Sequence, residues 1–172
     1  GLPQQRFESS VAFAQALTEG LKGRRIDRGG VSIFLSYQRD MSSGWANYFA
    51  KELQDHGIAT FVDVQRLDRA QRFPDRLTRA IEECDVFVCL LGETTLQSPW
   101  VVEEIRQAHR QGKPMVPIFQ ESFDPAGARE PEPAVDALLA HDAVHLFDER
   151  NVHVQHTAAD LAMLVKNTLN RN

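Results

Sequence analysis

Short apolar runs alternate with amphipathic segments along the chain from Val31 onward. Five such runs cover residues 31–36, 59–63, 85–91, 114–119 and 143–147. The third run, DVFVCLL, is apolar without interruption after its first residue, which is typical of a strand buried on both faces. The alternation predicts repeated βα units that form an α/β domain, in which a parallel sheet carries helices on both faces and the third strand lies near the centre.

The segments between the runs carry apolar residues at three- and four-residue steps, the period of an amphipathic helix. The first segment contains Trp45, Phe49 and Leu53, and its helix is expected to stop at Gly57. The last helix is predicted to cover residues 158–170.

The helix that follows the central strand has the clearest start and stop signals. Ser98 suits its N-cap, Pro99 its first position, Ile105 its buried face and Gly112 its end. Further along, residues 120–133 contain three prolines and a glycine among polar residues. This stretch is expected to form an irregular surface loop.

The chain divides into a leading segment and one domain. Residues 1–30 are assigned to an N-terminal helix and linker, because residues 7–22 have a helical period and the connector after them contains glycines. Residues 31–172 are expected to form one domain, since this length and a hydrophobic content of 42% can bury a single core. A chain that starts at Gly1 is expected to be a piece of a longer protein.

Composition argues against several classes of function. The 19 basic residues are mixed with 24 acidic ones, whereas nucleic-acid binding needs clustered Lys and Arg. No apolar run approaches the roughly 20 residues that cross a bilayer, and no signal peptide is recognisable, so a cytoplasmic protein is expected. Cys84 and Cys89 are expected to be buried thiols, and His153 and His156 lack a nearby third ligand for a metal.

A functional site is expected where the strand order reverses. Five βα units commonly form a doubly wound sheet of order 2-1-3-4-5, whose switch point lies between strands 1 and 3. Ligands of such sheets bind outside the carboxyl ends of the strands at this point. The loops to search are therefore residues 36–40 (SYQRD) and residues 92–100 (GETTLQSPW).

Trp100 and Glu104 are the candidate site residues at this edge. They are four positions apart, so both side chains project from one face of a helix. A glutamate near a helix start is favoured as the anion, and an indole beside it offers a flat apolar surface that suits a cationic, planar leaving group. On spacing alone, a solvated Glu104 and a Trp100 at the rim remain the commoner arrangement.

Five blocks of sequence, in order, resemble the Toll/interleukin-1 receptor (TIR) domain family. They read IFLSYQRD at 33–40, GIATFVD at 57–63, DVFVCLL at 85–91, SPWVVEEI at 98–105 and PMVPIF at 114–119. The resemblance implies the flavodoxin-like TIR fold. Residues 63–73 and 100–105 are most similar to the NAD-cleaving branch of the family, which includes enzymes of axon degeneration and of bacterial and plant immunity.

The resemblance implies a role for five residues. Glu104 matches the catalytic carboxylate, Trp100 shapes the pocket beside it, Tyr37 and Arg39 match positions that contact the dinucleotide, and Phe73 matches an aromatic residue of the loop after strand 2. The expected function is an NAD hydrolase that releases nicotinamide and leaves ADP-ribose or a cyclic product. NAD is its substrate, no cofactor or metal is needed, and self-association with other TIR domains in immune or cell-death signalling activates it.

Several alternatives stay open beside this expectation. A receiver domain needs an aspartate at the end of strand 3, where this chain has Leu91 and Gly92. A nucleoside deoxyribosyltransferase has a typical sequence in the loop after strand 1, which this chain lacks. The main alternative is a non-catalytic TIR scaffold that acts through homotypic TIR-TIR interaction; Glu104 argues against it. Glu103 would exchange roles with Glu104 if the helix register shifted by one residue. The loop at 63–73 also lacks the glycine or proline usual in this branch.

Overall fold

A five-stranded parallel sheet forms the centre of the computed structural model, which describes residues 30–62, 74–120, 122–126, 131–146 and 152–171. Its strands are β1 (Ser32–Tyr37), β2 (Ala59–Val62), β3 (Val86–Leu91), β4 (Met115–Phe119) and β5 (Val144–His145). The order is β2-β1-β3-β4-β5, and every neighbouring pair is parallel. The predicted fold and strand order are confirmed.

In the described residues, five α-helices connect or follow the strands. They are α1 (Arg39–Asp55), α2 (Pro74–Glu83), α3 (Pro99–Arg110), α4 (Pro133–Leu139) and α5 (Val152–Asn170), and a short 3-10 helix at Thr95–Gln97 precedes α3. The predicted N-terminal helix at 7–22 and the loop at 63–73 lie outside the described residues. None of the helices in the described part of the chain is long and apolar enough to cross a membrane.

Alternate residues of the strands point to two separate cores, one on each face of the sheet. In β1, Ile33 and Leu35 face the core that is closed by α1 and α5. Phe34 faces the other core, which is closed by α2, α3 and α4. There Phe34 stacks between Phe61 and Phe87, with ring centroids 5.2 and 5.7 Å away. The even positions of β1 therefore look towards α3, and the odd positions look towards α1.

Glycines with a positive φ end two of the helices. Helix α1 ends at Asp55 and is followed by Gly57 with φ of 75°, and α3 ends at Arg110 and is followed by Gly112 with φ of 63°. Other residues adopt this left-handed backbone only with strain, so both predicted helix stops are confirmed for the predicted reason.

Helix α4 was not predicted, because the stretch before it reads as a loop and seven residues are too few to show a helical period. Its N-cap is Glu132, whose carboxylate accepts a hydrogen bond from the backbone amide of Ala134. The same carboxylate pairs with Arg106 of α3, at 2.7 Å from its Nε. Glu132 therefore joins α4 to α3 as well as starting α4.

Replacing Glu132 by Gln is expected to lower the Tm at neutral pH and to have less effect in acid. The hydrogen bond from Arg106 holds the pKa of Glu132 below its ordinary value of 4.5. The stability that this carboxylate contributes is therefore present above pH 4.5 and is lost as the pH falls through its lowered pKa in the folded protein. Thermal unfolding of both proteins between pH 7 and pH 3 measures the difference.

Glu82→Gln is the matched control, because it removes an exposed carboxylate from α2. It accounts for the general effect of one negative charge. A Tm difference for Glu132→Gln that stayed constant down to pH 3, or that equalled the difference for Glu82→Gln, would contradict the assignment.

Candidate active site

A buried contact between Ser36 and Glu104 lies near the carboxyl edge of the sheet. Ser36 is the second-last residue of β1 and Glu104 belongs to the second turn of α3. The Ser36 hydroxyl donates to Oε2 of Glu104 at 2.5 Å, and both residues are 1% exposed. The contact joins the first strand to the third crossover at the switch point, which is the place predicted for a site.

The Ser36 hydroxyl helps to explain how a carboxylate is tolerated at this depth. Burying a polar or charged group is costly unless it forms hydrogen bonds, and a hydrogen bond to a charged group is stronger than one between neutral groups. Ser36 was not among the predicted site residues. The sequence does contain an indication of its role, because Ser36 is a polar residue at a position of β1 whose side chain points into the interior.

Cys89 lies next to this contact on the neighbouring strand. It is the register partner of Ser36, and its side chain belongs to the same face of the sheet as that of Phe34. Burial, and secondly the nearby Glu104 carboxylate, raise the pKa of the Cys89 thiol; the hydrogen bond with Ser36 acts in the opposite direction. Cys89 is thus a protonated, buried thiol, as predicted, and Cys84 is buried too.

Trp100 and Glu104 differ sharply in exposure although they lie one turn apart. Trp100 is 57% exposed and Glu104 is 1% exposed. Trp100 is in the first turn of α3, next to the fully buried Val101, and Glu104 is in the second turn, next to the fully buried Ile105. Trp100 therefore lies on the surface near the carboxyl edge of the sheet, and Glu104 lies in the interior.

Glu103 lies on the outer side of α3. Its carboxylate is 2.7 Å from the guanidinium of Arg110 and 3.6 Å from that of Arg106. Its side chain is 42% exposed, in contrast to that of Glu104. Adjacent positions of a helix are about 100° apart, which separates an outward ion-paired glutamate from an inward buried one.

Tyr37 and Arg39 lie at the same edge but on the other side of the sheet. Tyr37 ends β1, is partly buried and packs against the core formed by α1 and α5. Arg39 is the first residue of α1 and is also partly buried. The period of two along β1 thus sends Ser36 and Tyr37 to opposite faces. The fifth candidate, Phe73, lies outside the described residues.

Side-chain hydrogen bonds tie the loops of this edge together. Thr94, in the loop after β3, donates to the side-chain oxygen of Gln38, in the loop after β1, at 2.8 Å. Gln120, directly after β4, donates its amide to the hydroxyl of Ser42 in α1 at 2.7 Å. The loops after β1 and β3 and the first residue beyond β4 therefore hold fixed positions around the switch point.

Gly92 makes room for one of these bonds. A Cβ atom at this buried position would lie 2.9 Å from Nε2 of Gln120, which is closer than carbon and nitrogen atoms approach without displacement. Its backbone amide donates to the hydroxyl of Thr95 at 2.7 Å. A glycine after β3 thus allows the Gln120 amide to pass over the loop and reach Ser42.

The described residues contain no group of three or more His, Cys, Asp or Glu side chains that could hold a metal ion. The chemistry available in this part of the chain is that of a buried carboxylate, an exposed indole and hydrogen-bonding side chains.

A family model described as "TIR domain" matches residues 33–160. The chain belongs to the TIR family.

Two curated relatives contain segments similar to this TIR domain. It is 32% identical over 111 residues to NAD(+) hydrolase sarm1 of Drosophila melanogaster, an alignment that covers 59% of this chain and 8% of the relative. It is 27% identical over 131 residues to TMV resistance protein N of Nicotiana glutinosa, covering 73% of this chain and 11% of the relative. The matched segment is therefore a small part of either relative.

A solved structure shares the fold of the TIR domain. The flavodoxin-like domain of a Synechococcus protein has a TM-score of 0.51 and 17% sequence identity, and the match covers 81% of this chain and 99% of that domain. At this identity the likeness concerns the fold alone.

Gly92→Ala is expected to destabilise the TIR domain by about 1 kcal/mol, the usual net contribution of one hydrogen bond. The added methyl group would displace the Gln120 amide and break its bond to Ser42. Chemical denaturation followed by circular dichroism gives the free energy of unfolding.

Gly44→Ala is the matched control. Gly44 is an exposed residue of α1, and a Cβ there would meet nothing within 4 Å. This change is expected to stabilise the protein by about 0.5–1 kcal/mol, because alanine loses less backbone freedom in a helix than glycine does. Equal effects of the two substitutions would show that the space beside Gly92 is not needed.

Proposed function

We propose that this TIR domain cleaves NAD at the bond between nicotinamide and ribose, with Glu104 as the catalytic carboxylate. The observation that carries the proposal is the inward position of Glu104 at the switch point, where Ser36 holds its carboxylate. The name of the Drosophila relative, an NAD(+) hydrolase, supports the choice of substrate. Glu103 is the weaker candidate, because its carboxylate is engaged by two arginines on the outer surface.

The reaction needs little from the protein beyond a well-placed negative charge. The bond between ribose C1′ and the ring nitrogen breaks, and its electron pair goes to nicotinamide, which leaves as a neutral molecule. Positive charge then develops on the ribose, and a carboxylate shielded from water stabilises it more strongly than one in solvent. Water attacking C1′ gives ADP-ribose and a proton, whereas a nucleophile within the substrate gives a cyclic product.

Substrate contact requires Glu104 to become accessible. At 1% exposure, the carboxylate meets a ligand only after neighbouring side chains move. We propose that self-association with other TIR domains favours the accessible arrangement, as part of immune or cell-death signalling. The consequence is that a dilute monomer is expected to turn over NAD slowly and that activity rises with assembly.

The other candidate residues are proposed to bind the rest of the dinucleotide. The exposed indole of Trp100 offers a flat surface near the carboxyl edge of the sheet, and the forked donors of Arg39 suit a pyrophosphate. Tyr37 and Arg39 lie on the α1 side of the sheet, whereas Glu104 lies on the α3 side. A ligand that contacts both sets must therefore cross the carboxyl ends of the strands, which the length of a dinucleotide permits. Phe73 is proposed to contribute from the loop after β2.

Glu104→Gln is expected to lower nicotinamide release by at least about 100-fold, the scale of losing one electrostatic stabiliser of a transition state. Glutamine keeps the size and the hydrogen bond to Ser36 but carries no charge. Release is measured by chromatography after incubation with NAD, with the protein assembled on a surface or with a crowding agent.

Glu103→Gln is the control, since it removes the adjacent carboxylate from the outer side of the same helix. It is expected to keep wild-type turnover. Turnover that survives in Glu104→Gln, or that disappears in Glu103→Gln instead, refutes the assignment of Glu104. If the assembled wild-type protein releases no nicotinamide, the result favours a non-catalytic scaffold over an enzyme.

Trp100→Ala is expected to raise KM for NAD by about 10-fold with little change in kcat, because stacking on an exposed indole contributes mainly to binding. Stability should change little, as the side chain is 57% exposed. Met163→Ala is the control: it removes a large apolar side chain of similar exposure, 60%, from α5. Equal KM values for the two variants would remove Trp100 from the site.

A further inference from the structure

We infer that Ser36 is a positioning residue, which fixes the orientation of the Glu104 carboxylate for the reaction. The inference rests on the proposed function and assigns the residue on which its catalytic group depends. The observation is the hydrogen bond from Ser36 Oγ to Glu104 Oε2, at 2.5 Å, between two residues that are both 1% exposed.

The backbone of Ser36 is held firmly on the sheet. Strand β1 pairs with β2 on one side and with β3 on the other, and Ser36 itself is opposite Cys89. A hydroxyl group on a central strand has a nearly fixed position, because the side chain has one rotatable bond before its oxygen. Ser36 is therefore a fixed reference point for any group that binds to it.

Glu104 is held less completely by its own helix. Its neighbours Val101, Ile105 and Ala108 are fully buried and fix the backbone of α3 against the sheet. Three rotatable bonds still separate the Glu104 backbone from its carboxylate. The hydrogen bond to Ser36 selects one orientation among those that the three bonds allow. A misplacement of about 1 Å can cost a reaction roughly 100-fold, so this selection affects the chemical step.

The adjacent Cys89 is a poor substitute for the Ser36 hydroxyl. Burial and the Glu104 charge keep Cys89 a protonated thiol. A thiol is a weak hydrogen-bond donor compared with a hydroxyl group. Cys89 therefore does not replace the hydrogen bond that the Ser36 hydroxyl donates to Glu104.

If Ser36 restrained Glu104 instead of positioning it, the effect of its removal on kcat would have the opposite sign. If the hydrogen bond only restrained Glu104 in a buried, inactive orientation, removing it would release the carboxylate and raise kcat. If the bond positions Glu104 for reaction, removing it lowers kcat. The sign of the change in kcat distinguishes the two roles.

The experiment compares Ser36→Ala with Ser32→Ala in the assembled full chain. Ser32 lies on the same strand and the same face, and its hydroxyl also donates to a carboxylate, that of Asp85 at 3.1 Å, but at the amino edge of the sheet. Ser36→Ala is expected to lower kcat by about 10-fold and to change KM by less than about 2-fold, since a hydrogen bond to a charged group is lost. Ser32→Ala is expected to keep both constants.

Ser36→Thr tests rescue, because threonine restores the hydroxyl and suits a strand. It is expected to recover most of the lost kcat, and thermal unfolding shows whether each variant is folded at the assay temperature. Because alanine adds no volume, Ser36→Ala remains decisive if the extra methyl group of threonine unfolds that variant.

Two results overturn the inference alone, provided that turnover still depends on Glu104. The first is an equal kcat for Ser36→Ala and Ser32→Ala, and the second is a higher kcat for Ser36→Ala. A different result overturns the proposed function together with the inference, namely an assembled wild-type protein that does not consume NAD, or one whose turnover persists in Glu104→Gln.

Discussion

The pairing of β1 with β3 determines where every other part of the site lies. These strands are neighbours in space although β2 separates them in sequence, so the chain leaves β1 in one direction and returns to the sheet on its other side. The carboxyl ends of the two strands meet at the reversal. Their loops are therefore brought together although they are distant in sequence. The hydrogen bond between Thr94 and Gln38 spans 56 residues, and the bond between Ser36 and Glu104 spans 68.

Much of the fold could be predicted because its strands are continuous apolar runs. The run at 85–91 indicated a strand buried on both faces, and the structure places β3 in the middle of the sheet with all six residues buried. Glycine signals identified the ends of α1 and α3 correctly. Helix α4 was missed because it is only seven residues long and follows a proline-containing stretch, so neither its period nor its N-cap Glu132 has a distinctive sequence pattern.

The location of the candidate site could be predicted from the sequence, whereas most of its contacts could not. Spacing predicted that Trp100 and Glu104 lie on one side of α3, but it did not predict their different exposures of 57% and 1%, which depend on tertiary packing. Spacing likewise does not reveal that Ser36 and Tyr37 serve opposite faces, although the two-residue period of a strand implies it once β1 is located. Ser36 was overlooked because a serine at a strand end resembles a loop residue. Its partner is fixed by tertiary structure and is distant in sequence.

The different positions of Glu103 and Glu104 restrict where α3 can gain or lose a residue. One glutamate forms ion pairs on the outer surface and the next is buried against β1, so the two roles depend on the rotation of α3 about its axis. An insertion or deletion of one residue within α3 would rotate the following residues by about 100° and bring a different side chain to Ser36. Length variation among related sequences is therefore tolerable after Arg110, where α3 has ended, but not between Pro99 and Glu104. The number of residues between the start of α3 and Glu104 therefore determines which side chain reaches Ser36.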